Sequence, residues 1–164
     1  MSKVITSTFK TREAAEIALK RLEGMGIQDS EVSVIVSENT RNTAFDLKRD
    51  NKSDEGIAFG GVVGGLAGAV LGALLTSGAV AIPAAGIVVS GWLVAGAAGA
   101  GAGALSGGLL GGIIGTAIPE YEAKMYEGEV RDGAILLAVR AADAEQAKQI
   151  TSMLKQTDAH DIAA

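Results

Sequence analysis

Residues 60–75 read GGVVGGLAGAVLGALL, two small residues and two bulky ones at a beat of four, and the beat returns over 99–118 as GAGAGALSGGLLGGIIGTAI. On an α-helix residues i and i+4 lie nearly above one another. Gly60, Gly64, Gly68 and Gly72 would therefore form one bare groove, and Gly99, Gly103, Gly107, Gly111 and Gly115 a second. Val62, Leu66, Val70 and Leu74 stand away from the first groove, and Leu105, Leu109 and Ile113 away from the second, as apolar outer faces. A glycine in a helix interior costs about 1 kcal/mol relative to alanine, so grooves of this kind need an offsetting contact. Close approach of a second helix, as in small-xxx-small packing, supplies one. Runs 56–75 and 99–118 each hold 20 residues, a helical length of about 30 Å that matches a hydrocarbon core.

Outward from these runs, the whole of 56–119 lacks Asp, Glu, Lys, Arg and His, and it holds 19 of the 23 glycines. Pro83 and Gly86, in AIPAAG, mark the tip of a hairpin. Pro83 argues against one straight helix through 76–98, leaving a re-entrant loop or the start of a longer second helix. The reading is a glycine-zipper α-helical hairpin over 56–118, with three surroundings open: a bilayer, the apolar interior of a soluble homo-oligomeric particle, or an aggregation-prone filler. A solitary soluble monomer is disfavoured, because two such stripes exceed the usual exposed apolar patch. Arg41, Lys48, Arg49 and Lys52 precede the insert and its tip has no cation. The charge bias thus expects a cytoplasmic membrane location with both polar halves facing the cytoplasm, the alternative being a cytoplasmic soluble assembly.

The flanks are ordinary water-compatible sequence. Val4 to Phe9 is β-branched and reads as a strand; Thr11 then caps a helix with Ala14, Ala15, Ala18, Leu19 and Leu22 at helical spacing; EVSVIV, 31–36, is a second strand. After the insert, 133–139 reads as a strand, Asp143 caps a helix carrying Ala147, Ile150 and Leu154, and a short last strand fits near Asp161. Two such units make an α+β, ferredoxin-like βαββαβ head. The expected division is 1–37 as its first half, 38–55 as a polar linker, 56–118 as the hairpin inserted between the second and third strands, and 119–164 as a helical connector and second half.

Net charge −5 removes the support for phosphate-backbone binding, so nucleic acid is not expected as a partner. The absence of cysteine removes thiolate chemistry and Cys-based zinc sites. The start has no signal-peptide core, so export by a cleaved signal is not expected. No Lys-Ser/Thr pair follows the glycines, which excludes a phosphate loop. The single His160 lies near a polar terminus, and Glu120, Glu122, Glu127 and Glu129 after Pro119 read as a helix start before they read as a metal or acid/base cluster. Trp92, Tyr121 and Tyr126 suit packing or interfacial roles. No catalytic residue, cofactor or metal is expected, and the chain is read as non-enzymatic.

Residues 118–141, IPEYEAKMYEGEVRDGAILLAVRA, carry a frame of Ile118-Pro119-Glu120, Ala123, Tyr126-Glu127, Val130 and Gly133 before a strand. With the glycine zipper ahead of it and the strand-helix-strand of 3–37, this frame resembles the bacterial general-stress and low-temperature-induced proteins that carry a heat-induced stress domain. The resemblance covers nearly the whole chain and is most specific over 99–141. It implies a small stress-responsive, membrane-associated protein and transfers no catalytic residue. The function expected is self-assembly through the zipper helices, with the chain itself and a lipid bilayer as partners. A pore, or a head that senses a small-molecule ligand of undetermined identity, are the other readings.

Overall fold

The computed structural model describes residues 3–44, 65–74, 79–82, 86–94 and 120–164. Strand β1 (Lys3–Phe9) leads into helix α1 (Arg12–Gly24), a 3-10 turn (Asp29–Glu31) into β2 (Val32–Ser37), and α2 (Glu38–Ala44) follows directly. Within the insert lie α3 (Gly65–Ala73), β3 (Val80–Ile82) and β4 (Ile87–Gly91). The chain closes with α4 (Glu120–Arg131), β5 (Ile135–Ala141), α5 (Ala144–Leu154) and β6 (His160–Ala163). The expected caps are in place. Thr11 Oγ1 accepts the Ala14 N–H at 3.2 Å and Asp143 Oδ1 accepts the Gln146 N–H at 2.8 Å, each satisfying a donor that the first helical turn leaves unpaired.

The architecture is α+β: among the described residues, a six-stranded antiparallel sheet in the order β3-β4-β2-β5-β1-β6, with five α-helices. Strands from the two polar flanks alternate across it. Ile5 sits opposite Val139 and Val34 opposite Leu137, so neither flank has a sheet without the other. Helices α1, α3 and α5 contribute to one hydrophobic cluster with Ile5, Phe9, Val34, Val36, Leu137 and Val139. On the other face α4 lays Ala123, Tyr126 and Val130 over Ile35, Leu136 and Ala138. The segment expected to be a connector is thus also a covering layer.

Three expectations about the insert change. The described residues of the hairpin tip are strands: β3 and β4 pair, β4 adds to β2 in register Ile35↔Val89, and Gly86 stands at the β3–β4 turn. The Gly86 N–H donates to the Ile82 carbonyl at 3.0 Å, and the Gly86 carbonyl accepts the Glu38 N–H at 2.8 Å. The cause is local: Ile87, Val88 and Val89 are β-branched, and a sheet buried on both faces takes such a run. At the far end, Gly91 has φ +84°, and a Cβ there would strike the Val32 carbonyl oxygen. Pro83 lies outside the described residues.

The second change is helix length. α3 has nine residues, about 14 Å. Gly65 opens it at φ +74°, and a Cβ at this position would run into the Glu23 carboxylate. A left-handed residue does not continue a right-handed helix, so α3 begins at Gly65, and 56–64 lie outside the described residues. Among the described residues no helix is long and apolar enough to cross a membrane.

The third change is orientation. Leu66, Val70 and Leu74, expected on an outer face, are 5%, 4% and 0% exposed and share the core with Leu19, Leu22, Val34 and Val88. Gly68 and Gly72 are half-buried, and Ala69 between them is exposed. Burying each large apolar side chain contributes about 1.5–3 kcal/mol, which a glycine face cannot match. The insert is therefore tied into the core of its own chain at α3. Leu71→Ala is expected to lower the unfolding free energy by about 2–4 kcal/mol in urea titrations monitored at the head; an insert independent of the head would leave it unchanged.

Candidate functional site

Two of the polar side chains buried in the second face, Thr6 and Thr8, meet the C-terminal half of α4. Thr6 and Thr8 alternate toward that face of β1, while Tyr126 and Glu129 stand one turn apart on α4. Thr6 is fully buried and Tyr126 is 1% exposed. The Thr6 hydroxyl donates to the Tyr126 oxygen at 3.0 Å, and the Tyr126 hydroxyl donates to the Asp161 carbonyl at 2.6 Å. Burial, reinforced by the surrounding carboxylates, pushes the Tyr126 phenol up to about 12, so it remains a hydrogen-bond donor at any ordinary pH.

This chain of hydrogen bonds holds an unusual backbone. Between β1 and β6 the register shifts: Thr6 faces Ala163 while Thr8 faces His160, two steps on one strand against three on the other. The extra residue is accommodated at Asp161, whose φ of +48° is, among the described residues, the positive value outside glycine. Such a conformation costs on the order of 1 kcal/mol, and a bulge re-aims the side chains beside it.

Thr8, Lys10, Glu129, Asp132, His160 and Asp161 line a cavity of about 470 Å³ beside this bulge. Burial pushes the Glu129 carboxyl above its ordinary value; the Asp161 carboxylate acts in the same direction, against the Thr8 hydroxyl and His160. Glu129 Oε2 is occluded from solvent with no hydrogen-bond partner. What the arrangement does chemically is favour a proton on Glu129 next to a charged neighbour. Among the described residues no three His, Asp or Glu side chains are placed to hold a metal ion.

The acidic run after Pro119 is dispersed. Glu127 pairs with Arg131 at 2.7 Å, Glu122 accepts from the Tyr121 hydroxyl at 2.9 Å, and Glu129 turns to the cavity. His160, read as a tail residue, stands exposed on β6 at the cavity wall. Of the groove glycines, Gly68 and Gly72 are placed on α3, both half-buried, and a Cβ at Gly72 would meet nothing within 4 Å. Gly60, Gly64, Gly99, Gly103, Gly107, Gly111 and Gly115 lie outside the described residues, as do Val62, Leu105, Leu109 and Ile113. The Thr6–Tyr126–Asp161 link went unread in the sequence, although Ala123, Tyr126 and Val130 at helical spacing mark a buried stripe that contains the tyrosine.

No protein-family model matches the chain, and neither the curated proteins nor the solved structures contain a match to it.

A carboxyl raised in the folded state favours folding while protonated, so its contribution is complete below the ordinary glutamate value of 4.5 and is lost as pH rises through the folded value. Glu129→Gln removes that loss. Its melting temperature is expected to exceed the parent's at pH 7 and to converge with it near pH 4 in paired thermal melts; parallel curves would show that Glu129 does not titrate in this way.

Proposed function

We propose that this chain is a non-enzymatic, stress-associated protein that assembles with copies of itself through the glycine faces of its insert, from a ferredoxin-like head. The order β2-β5-β1-β6, with α1 after β1 and α5 after β5, supports reading the two flanks as interleaved βαβ units. The stress assignment rests on the frame in 118–141 described above. In this reading the charge-free run 99–118 supplies further self-contact and the attachment to a bilayer, with the polar flanks on the cytoplasmic side.

The observation that carries the proposal is the orientation of α3. Its large side chains are buried in its own head, while on its small-residue side Ala69 is exposed and Gly68 and Gly72 are half-buried. At Gly72 nothing stands within 4 Å of where a Cβ would be. The fold around it therefore does not demand a glycine, which still lowers helix propensity by about 1 kcal/mol relative to alanine. Close approach by a helix of another copy is a use for the bare surface that the fold itself does not supply.

Gly72→Leu separates folding from assembly, since the position is open in the single chain. The variant is expected to melt at or above the parent temperature while its particle, sized by light scattering, becomes smaller. An unchanged particle size would count against assembly through α3, and Gly107→Leu then asks the same of the second run.

A further inference from the structure

A second concavity lies away from the carboxyl-lined cavity, along the flank of α5. Its volume is about 390 Å³, and it is lined by Lys3, Lys148, Lys155, Thr151, Ser152 and the small residues Ala144, Ala147 and Ala164. Lys148 and Ser152 on α5 and Lys155, its C-cap in helical conformation, recur at steps of four and three, which places them on one side of the helix. Lys3 comes from the first position of β1. Three ammonium groups from two distant parts of the chain thus border one recess whose wall is made of alanines.

The side chains that line this recess carry charge of one sign. No Asp or Glu side chain lines it, in a chain with 19 acidic residues against 14 basic ones. Among the described residues none of the three ammonium groups has an ion-pair or hydrogen-bond partner. Like charges that share a concavity repel, and an anion seated between them would relieve that repulsion. Thr151 has already committed its proton to the Ala147 carbonyl at 2.8 Å, whereas Ser152 is exposed and makes no hydrogen bond among the described residues.

From this juxtaposition we infer that the α5 recess binds a phosphate-bearing anion, with Lys3, Lys148 and Lys155 as its cations and the Ser152 hydroxyl as a neutral donor. Lysine acts as a point charge and suits a tetrahedral phosphate, while a planar carboxylate is better matched by the arginine fork, which is missing here. Lys148 and Lys155 are seven residues apart, about 10 Å along the helix, a span that two linked phosphates bridge better than one. The overall negative charge disfavours a duplex nucleic acid as the source. The shared chemistry is a phosphate ester or diphosphate, free in solution or on a lipid headgroup.

The test uses the full chain and two probes. Inorganic pyrophosphate is titrated calorimetrically at low and at physiological salt, and vesicles of phosphatidic acid in phosphatidylcholine are floated beside vesicles of phosphatidylcholine alone. Pyrophosphate binding that weakens with salt, falls roughly tenfold in Lys148→Gln and in Lys155→Gln, and is unchanged in the exposed control Lys20→Gln would establish the site for a soluble ligand. Flotation only with phosphatidic acid, with the same dependence on the two lysines, would establish it for a headgroup. Melting temperatures of the variants confirm that the exposed substitutions leave the fold intact. Binding of neither probe, or binding equal in parent and variants, would overturn the inference.

Discussion

Packing of the leucine side of α3 against α1 and the sheet is the contact on which the arrangement of this chain depends. Leu66, Ala67, Val70, Leu71 and Leu74 share one cluster with residues from both flanks. Nearby, β4 extends the sheet beyond β2 with its own β-branched run. A glycine-rich segment so anchored at α3 and β4 shares the head's core, and on α3 the small-residue side is what is left for other partners. The conformation of Gly65 enforces this, because the helix starts at the Glu23 carboxylate, where the positive end of the α3 dipole meets a negative group.

The sheet has two unlike faces. Toward α1, α3 and α5 it presents aliphatic residues almost alone, whereas toward α4 it carries Thr6, Thr8, Ser33 and Ser37 among Ile35, Leu136 and Ala138. Polar groups in such a place need partners. Thr6 finds Tyr126, Ser37 finds Thr40 at 2.8 Å, and Ser33 accepts the Leu93 N–H at 3.0 Å. The bulge at Asp161 belongs to the same set of partners, since its carbonyl accepts the hydrogen bond of the Tyr126 hydroxyl. A cavity and an elevated carboxyl therefore occur together where the second layer ends.

The sequence was legible where chemistry is local. Thr11 and Asp143 announced their caps, the β-branched runs 4–9 and 31–36 announced strands, and Ala147, Ile150 and Leu154 announced the buried side of α5. The four-residue beat in 60–75 showed that a helix there has two faces, but burial is decided by what lies opposite, which spacing does not contain. The expectation that Leu66, Val70 and Leu74 form an outer face failed on that point. Ile87, Val88 and Val89 form a continuous apolar run, and periodicity does not separate a strand buried on both sides from a piece of buried helix. The candidate cavity was unreadable for another reason: Thr8, Glu129 and Asp161 meet only through the interleaving of β1 with β5 and β6, and the bulge that aims Asp161 has no residue signature. The basic recess similarly needs Lys3 to meet Lys148 across the whole chain.

The central claim, that the middle of the insert is an integral part of the head, is tested most directly by native-state hydrogen exchange of the full chain, comparing the amides of 87–91 with those of 32–37 and 135–141. The account expects the paired amides of the three strands to share one opening free energy and to open together as denaturant rises. Fast exchange across 87–91 while β2 and β5 stay protected would contradict it, and would return the insert to the status of a separate excursion from the sheet.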